Sequence, residues 1–203
     1  VEGGQTSTGS VINWYKSLIG DGVSYDQLNA EAAELAPGAD GLIVQEHFQG
    51  NRTPHTDPLS RGAIMGLSLK HGRAHIFRAM IEGVAFGTEA IFKAMRQNGY
   101  RPDEFRICGG ATRSELWMQI HADVSGIPLT LTAVPDAPAL GSAILAAVAA
   151  GKFRSIHEAS DAMVKIKRRI DPNMKRHAEY QPLFEAYERA YPALHHVLGT
   201  GQK

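Results

Sequence analysis

From Phe105 onward the chain switches its hydrophobic period from segment to segment, and this limits the folds open to it. FRICG (Phe105 to Gly109) is a short β-branched and aromatic run that reads as a strand. In the stretch that follows, Leu116, Trp117, Ile120 and Val124 recur at three- and four-residue steps, the spacing of a helix. IPLTLTAV returns to strand-like composition, and PDAPALGSAILAAVAAG reads as an alanine-rich helix that starts at Pro138 and ends at Gly151. Proline in the first turn and glycine past the last match the known asymmetry of helix ends. Strand, helix, strand, helix in alternation predicts an α/β architecture, with helices packed on a partly parallel sheet.

The rest of the chain reads the same way. Val11, Trp14, Leu18 and Ile19 mark one helix, and a second is expected from about Tyr25 to Leu35, ending before Pro37 and Gly38. GLIVQEHF (Gly41 to Phe48) reads as a buried strand running into the polar loop QGNRTPHTDPLSRG, and Ala63 to Leu69 is a short strand-like stretch. The longest helix is expected from about Ala74 to Gln97, with Phe77, Ile81, Val84, Ile91 and Met95 on one stripe. Asn98 and Gly99 terminate it. A helix near Ile156 to Met163, a strand near Val164 to Ile170 and a long amphipathic helix near Lys175 to Leu198 complete the pattern. There is no internal repeat, low-complexity tract or linker, so the 203 residues read as one unit, either a single domain or a large part of a bigger protein.

Lysine plus arginine and aspartate plus glutamate number 21 each, so bulk charge predicts neither a nucleic-acid nor a membrane partner. Cys108 is the single cysteine, which leaves no intramolecular disulfide and no thiolate zinc site and makes a reducing, cytoplasmic setting the expectation. No apolar run approaches the ~20 residues that span a bilayer. The sequence opens at Val1 inside VEGGQTSTG rather than at a methionine, and a cut or processed piece of a longer chain is expected.

Three stretches are candidates for chemistry. Gly109 and Gly110 stand between a strand and a helix start, where glycine permits positive φ or close approach of a ligand to the backbone. Thr112 with Glu115 fits a capping box, which would start the helix at Thr112 and leave amides free for an anionic or polar ligand. The pattern is neither GxGxxG nor a P-loop, and alone a glycine pair is more often only a turn. GGQTSTGSVINW leads small polar residues into a helix, with Thr8 or Ser10 as N-cap, and alone it reads as a helix cap. The helix from Pro138 has little bulk on one face (Ala139, Gly141, Ser142, Ala143, Ala146, Ala147), which predicts close backbone packing, as do Gly83 and Gly87 in the long helix. His71 and His75 are four apart but lack a third ligand at compatible spacing, so no metal site is expected.

In combination these stretches are specific. GGATRSELWMQIHADVSGIPL followed by VPDAPALGSAILAAVAAGKF strongly resembles the C-terminal signature region of the FGGY carbohydrate kinases. In that family GG-A-x-x-S/N leads into W-x-Q-x-x-AD-x-x-G-x-P and then E-x-x-ALG-x-A-x-x-A, with Asp136 and Ala137 here near the usual acidic position. EHFQGNRTPHTDPLSRGAIMGL resembles the family's G-x-R-T-P loop and following strand, and the resemblance runs from about Glu2 to Tyr191.

The resemblance implies the actin-like ATPase (ribonuclease H-like) fold. It makes residues 1–203 the C-terminal ATP-binding domain, incomplete at its N-terminal side, with the N-terminal sugar-binding domain absent from this chain. ATP with Mg2+ is the implied cofactor. Gly9 and Asn13 match one nucleotide-facing pair of the family, and Gly109, Gly110, Ala111 and Ser114 match the other segment around the adenosine. No catalytic residue is expected in this chain, because the family's catalytic aspartate belongs to an upstream segment. EGGQTSTGSVINW is similar to the ribulokinase-type pentulose kinases, which ranks ribulose or a related ketopentose first, xylulose second, and erythritol or glycerol third. A catalytically inactive ATP-binding module and an α/β protein with no nucleotide site are the alternatives. The implied partners are ATP or ADP, a sugar or polyol, the missing domain and a possible second copy.

Overall fold

The computed structural model describes residues 2–198. Its elements in order are α1 (Gly9–Ile19), α2 (Tyr25–Ala33), β1 (Ile43–Gln45), β2 (Ala63–Met65), α3 (Arg73–Gln97), β3 (Phe105–Ile107), α4 (Glu115–Ser125), β4 (Leu129–Thr132), α5 (Ala137–Ala149), α6 (Ile156–Met163), β5 (Ile166–Ile170) and α7 (Met174–Leu198). β3 and β4 pair in parallel across the α4 crossover, and β5 joins β4 antiparallel to give the order β3-β4-β5. β1 and β2 form a separate antiparallel pair, Ile43 opposite Met65. The alternation of periods therefore produces the mixed α/β arrangement it predicts, with one parallel and one antiparallel ladder in the sheet.

α3 is the hub, packing against α1, α2, α4, α7 and β1. Its middle, from Phe77 to Gly87, is buried without interruption, so the stripe read from the sequence is only part of the buried surface. Gly83 and Gly87 make this possible. A methyl at Gly83 would meet the Val44 carbonyl oxygen at 2.5 Å, and one at Gly87 would collide with the side chains of Glu46 and Gln5.

Two charged residues lie inside this hub and are fully partnered. Arg78 and Glu82 pair at 2.8 Å, one turn apart on α3. Tyr180 on α7 donates to Glu82 and accepts from Arg78, both at 3.0 Å, and the Gly38 amide also donates to Glu82. This network ties α3 to α7 and to the end of α2, where the Ala32 carbonyl accepts from Arg78.

Several boundaries differ from the expectation. α4 begins at Glu115 rather than Thr112, capped by the Ser114 hydroxyl, which accepts from the Trp117 amide at 3.1 Å. Gly109, at φ 94°, sends the chain into a 3-10 turn over Gly110–Arg113, and the Thr112 hydroxyl closes that turn onto the Gly109 carbonyl at 2.7 Å. β1 is only three residues long, because Glu46 and His47 turn inward as part of a buried polar cluster instead of continuing the ladder. The small face of α5 does not pack closely. Leu145 is 57% exposed, no atom lies near a methyl added at Gly141, and the helix rests chiefly on α6. Among the described residues no helix is long and apolar enough to cross a membrane.

Candidate functional site

A cavity of about 710 Å³ opens where the start of α1, the outer face of α2, and the β3-to-α4 turn meet. It lies within the size range of small-molecule sites. Phe77 of α3 closes its floor. Of the residues expected from sequence, Gly9, Gly109, Gly110, Ala111 and Ser114 are all on its wall. Asn13 is not on the wall. It stands one turn along α1, where its Oδ1 accepts from the Tyr25 hydroxyl at 3.1 Å, and Tyr25 does face the cavity.

The two adjacent glycines have different physical reasons. Gly109 needs positive φ, and its amide donates to the Pro135 carbonyl at 3.2 Å, which anchors the turn to the segment after β4. Gly110 has ordinary φ but open space where a side chain would begin, as does Gly9 across the cavity. At these two positions absence of a side chain leaves volume in the site rather than relieving the backbone.

The α1 start adds uncapped donors. Thr8 occupies the N-cap position without a side-chain bond to the helix, and no acidic residue sits in the first turn. Ser114 is more committed, because it caps α4 and its hydroxyl donates to Asn29 Oδ1 on α2. That bond locks the wall contributed by α2 to the wall contributed by the turn. Trp117 Nε1 is buried and has no hydrogen-bond partner among the described residues, although its ring lines the cavity. Behind it His121 stacks at 6.5 Å, and burial holds that imidazole down at about 4.

Ile12, Tyr25, Asp26, Asn29, Cys108 and Arg113 complete the wall, and sequence reasoning did not select them. α2 was expected as a helix, but which of its faces meets the turn depends on how it docks against α3. Arg113 had a visible signal, as a basic residue beside the glycine pair. It is exposed at the rim, with no ion-pair partner among the described residues. Asp26 and Cys108 are the carboxylate and the thiol on this wall, and no histidine joins them. The cavity therefore offers donors, room and one cation at its edge, which suits holding a flat polar ligand with an anionic tail.

The chain is similar to known proteins over most of its length. The model described as "FGGY family of carbohydrate kinases, C-terminal domain" matches residues 1–150. The xylulose kinase of Staphylococcus epidermidis is 31% identical over 185 residues, covering 91% of this chain and 37% of its own length. The ribulokinase of Geobacillus thermodenitrificans is 34% identical over 218 residues, covering 99% of this chain and 38% of its own. The crystal structure of xylulose kinase from Rhodospirillum rubrum superposes with a TM-score of 0.83 at 34% identity, over 95% of this chain and 39% of that one. The chain thus spans well under half the length of the relatives it matches.

Proposed function

The chain belongs to the FGGY family of carbohydrate kinases, and from that membership we propose that it is the nucleotide-holding part of a kinase that phosphorylates a sugar hydroxyl. The proposed fold is the C-terminal half of the actin-like ATPase arrangement, with the sugar-binding domain supplied by chain outside these residues. The observation that carries the reading is the meeting of Gly9 with Gly109, Gly110 and Ala111 around one cavity. These positions are about a hundred residues apart in sequence and share no structural need for a gap between them.

In this reading Gly9 and Gly110 let the adenosine lie against backbone. Trp117 contributes ring surface to the wall against which the adenosine lies. Ser114 keeps α4 capped and α2 in place, and Asn13 positions Tyr25 at the edge. Arg113 and the α1 amides face the anionic end of the ligand. ATP would supply the γ-phosphoryl group, and Mg2+ would neutralise charge developing on it. No general base is assigned among these residues, and proton removal from the sugar hydroxyl is assigned to the upstream chain. The proposed acceptor is a ketopentose, ribulose before xylulose, supported by the likeness of EGGQTSTGSVINW to the ribulokinase-type kinases.

Calorimetric titration of the 203-residue chain with ADP and ATP tests the reading. Saturable one-to-one binding that Gly110→Val weakens at least about tenfold is expected. A Gly110→Val chain that binds as tightly as the parent would place the ligand elsewhere and overturn it.

A further inference from the structure

We propose, resting on the adenosine reading above, that Asn29 on α2 sets the base selectivity of the large cavity. It does so through Ser114, whose hydroxyl it holds as an acceptor that takes an amino-bearing base edge and rejects an oxo-bearing one.

The orientation of Asn29 is fixed by its own helix. Its Nδ2 donates to the Tyr25 carbonyl one turn back at 2.7 Å, so Oδ1 is the end that meets Ser114. An amide oxygen only accepts, and the Ser114 proton therefore goes to Asn29. The same hydroxyl accepts from the Trp117 amide at 3.1 Å, as the cap of α4. A serine oxygen has one proton and two lone pairs, so a single lone pair is left for a ligand. Ser114 is partly exposed and stands on the cavity wall, as Asn29 does.

The polar groups beside it have the same sign. The Tyr25 hydroxyl gives its proton to Asn13 Oδ1 at 3.1 Å and keeps its lone pairs. Asp26 adds a carboxylate to the wall, with no ion-pair partner among the described residues. Ser114, Tyr25 and Asp26 thus make the part of the cavity that adjoins α2 a surface of acceptors, whereas the uncapped amides of the α1 start are donors.

Adenine carries an amino group, a donor, where guanine and hypoxanthine carry a carbonyl oxygen, an acceptor. The amino group satisfies the Ser114 lone pair. An oxo group there would set oxygen against oxygen with no proton between them. A site built on hydrogen bonds discriminates strongly in this way, because the wrong ligand leaves desolvated polar groups unpaired. Without Asn29 the Ser114 hydroxyl could turn and donate, and the discrimination would disappear.

Calorimetric titration of the 203-residue chain with ADP and IDP, whose bases differ by this amino or oxo group, tests the proposal. The parent should bind ADP at least about tenfold more tightly than IDP. Asn29→Ala should bring the two within about threefold, chiefly by improving IDP. Asn29→Asp, whose carboxylate still accepts from Ser114, should keep the parent's preference. The ratio is taken within one variant, so a partly unfolded sample does not alter it, and Asn29→Leu repeats the test should Asn29→Ala loosen α2. A purely structural role for Asn29 would weaken both nucleotides alike. A parent that binds the two equally, or Asn29→Ala and Asn29→Leu chains that keep the parent's ratio, would overturn the proposal and leave the adenosine reading in place. Binding of neither nucleotide by the parent would overturn both.

Discussion

Substituting Gly109 by alanine would place a Cβ on backbone at φ 94°, whereas the same change at Gly110 would put a methyl into open space. Gly109→Ala is therefore expected to lower stability by about 1–3 kcal/mol, seen as a shift in urea midpoint. Gly110→Val should leave that midpoint unchanged and weaken ADP binding at least about tenfold, or ~1.4 kcal/mol, in a calorimetric titration. Glu46 gives a prediction of a different kind. Burial is the largest cause that raises its carboxyl from 4.5 to about 7, against hydrogen bonds from Tyr187 and Gln5 that lower it. The folded chain then keeps a proton that the unfolded chain has lost, so this contribution is present at low pH and disappears as pH rises through about 7. His47, lowered by burial to about 4, works in the opposite direction and favours the fold above its unfolded value of 6.5. Melting temperatures of Glu46→Gln relative to the parent should accordingly rise between pH 4.5 and about pH 7, the unfolded and folded values of this carboxyl. A flat difference would mean that Glu46 is ionised at both ends of the window.

At the scale of elements, α3 was legible because its apolar stripe keeps one period for more than twenty residues. Its second buried face was not. Arg78 and Glu82 sit at the i, i+4 spacing of an exposed ion pair, and only the partners Tyr180, Gly38 and Ala32, remote in sequence, make the inside acceptable to them. Arg78→Met should cost about 3–5 kcal/mol by stranding Glu82, and adding Glu82→Leu should restore much of it. Thermal melts of both single variants and the double variant check this, and a double-variant loss equal to the sum of the single losses would show that the pair is not coupled. Gly87→Ala should also destabilise, by about 1–3 kcal/mol, because Glu46 and Gln5 fill the space its methyl needs. The cap of α4 was misread for a local reason. Thr112 and Ser114 are both good caps, and the positive φ of Gly109, invisible in composition, delays the helix until Ser114.

On the scale of the whole molecule, the two sheet edges are unlike. β5 carries Lys167, Arg168 and Arg169, which discourage further pairing, while β3 presents Phe105 and Ile107 and pairs on one side only among the described residues. Beyond β4 the exposed apolar residues Val134, Leu145, Ile156 and Ile166 come from four successive segments. The 203-residue chain is expected to associate as its concentration rises, and Leu145→Glu to reduce that association, both read by light scattering after size exclusion. A monodisperse monomer at high concentration would refute the expectation. What the sequence determined by itself is the type and order of the elements, since each follows from local period, glycine and proline. It also marked the glycine-rich positions of the candidate site, because a missing side chain is a local property. The tertiary structure alone decided that Gly9 and Gly110 face one space, that α2 supplies Tyr25, Asp26 and Asn29 to it, and that Gln45 and Trp117 each keep a buried polar atom unpaired. Those facts depend on how helices dock across α3, and docking is fixed by contacts between residues far apart in the chain, which no local pattern encodes.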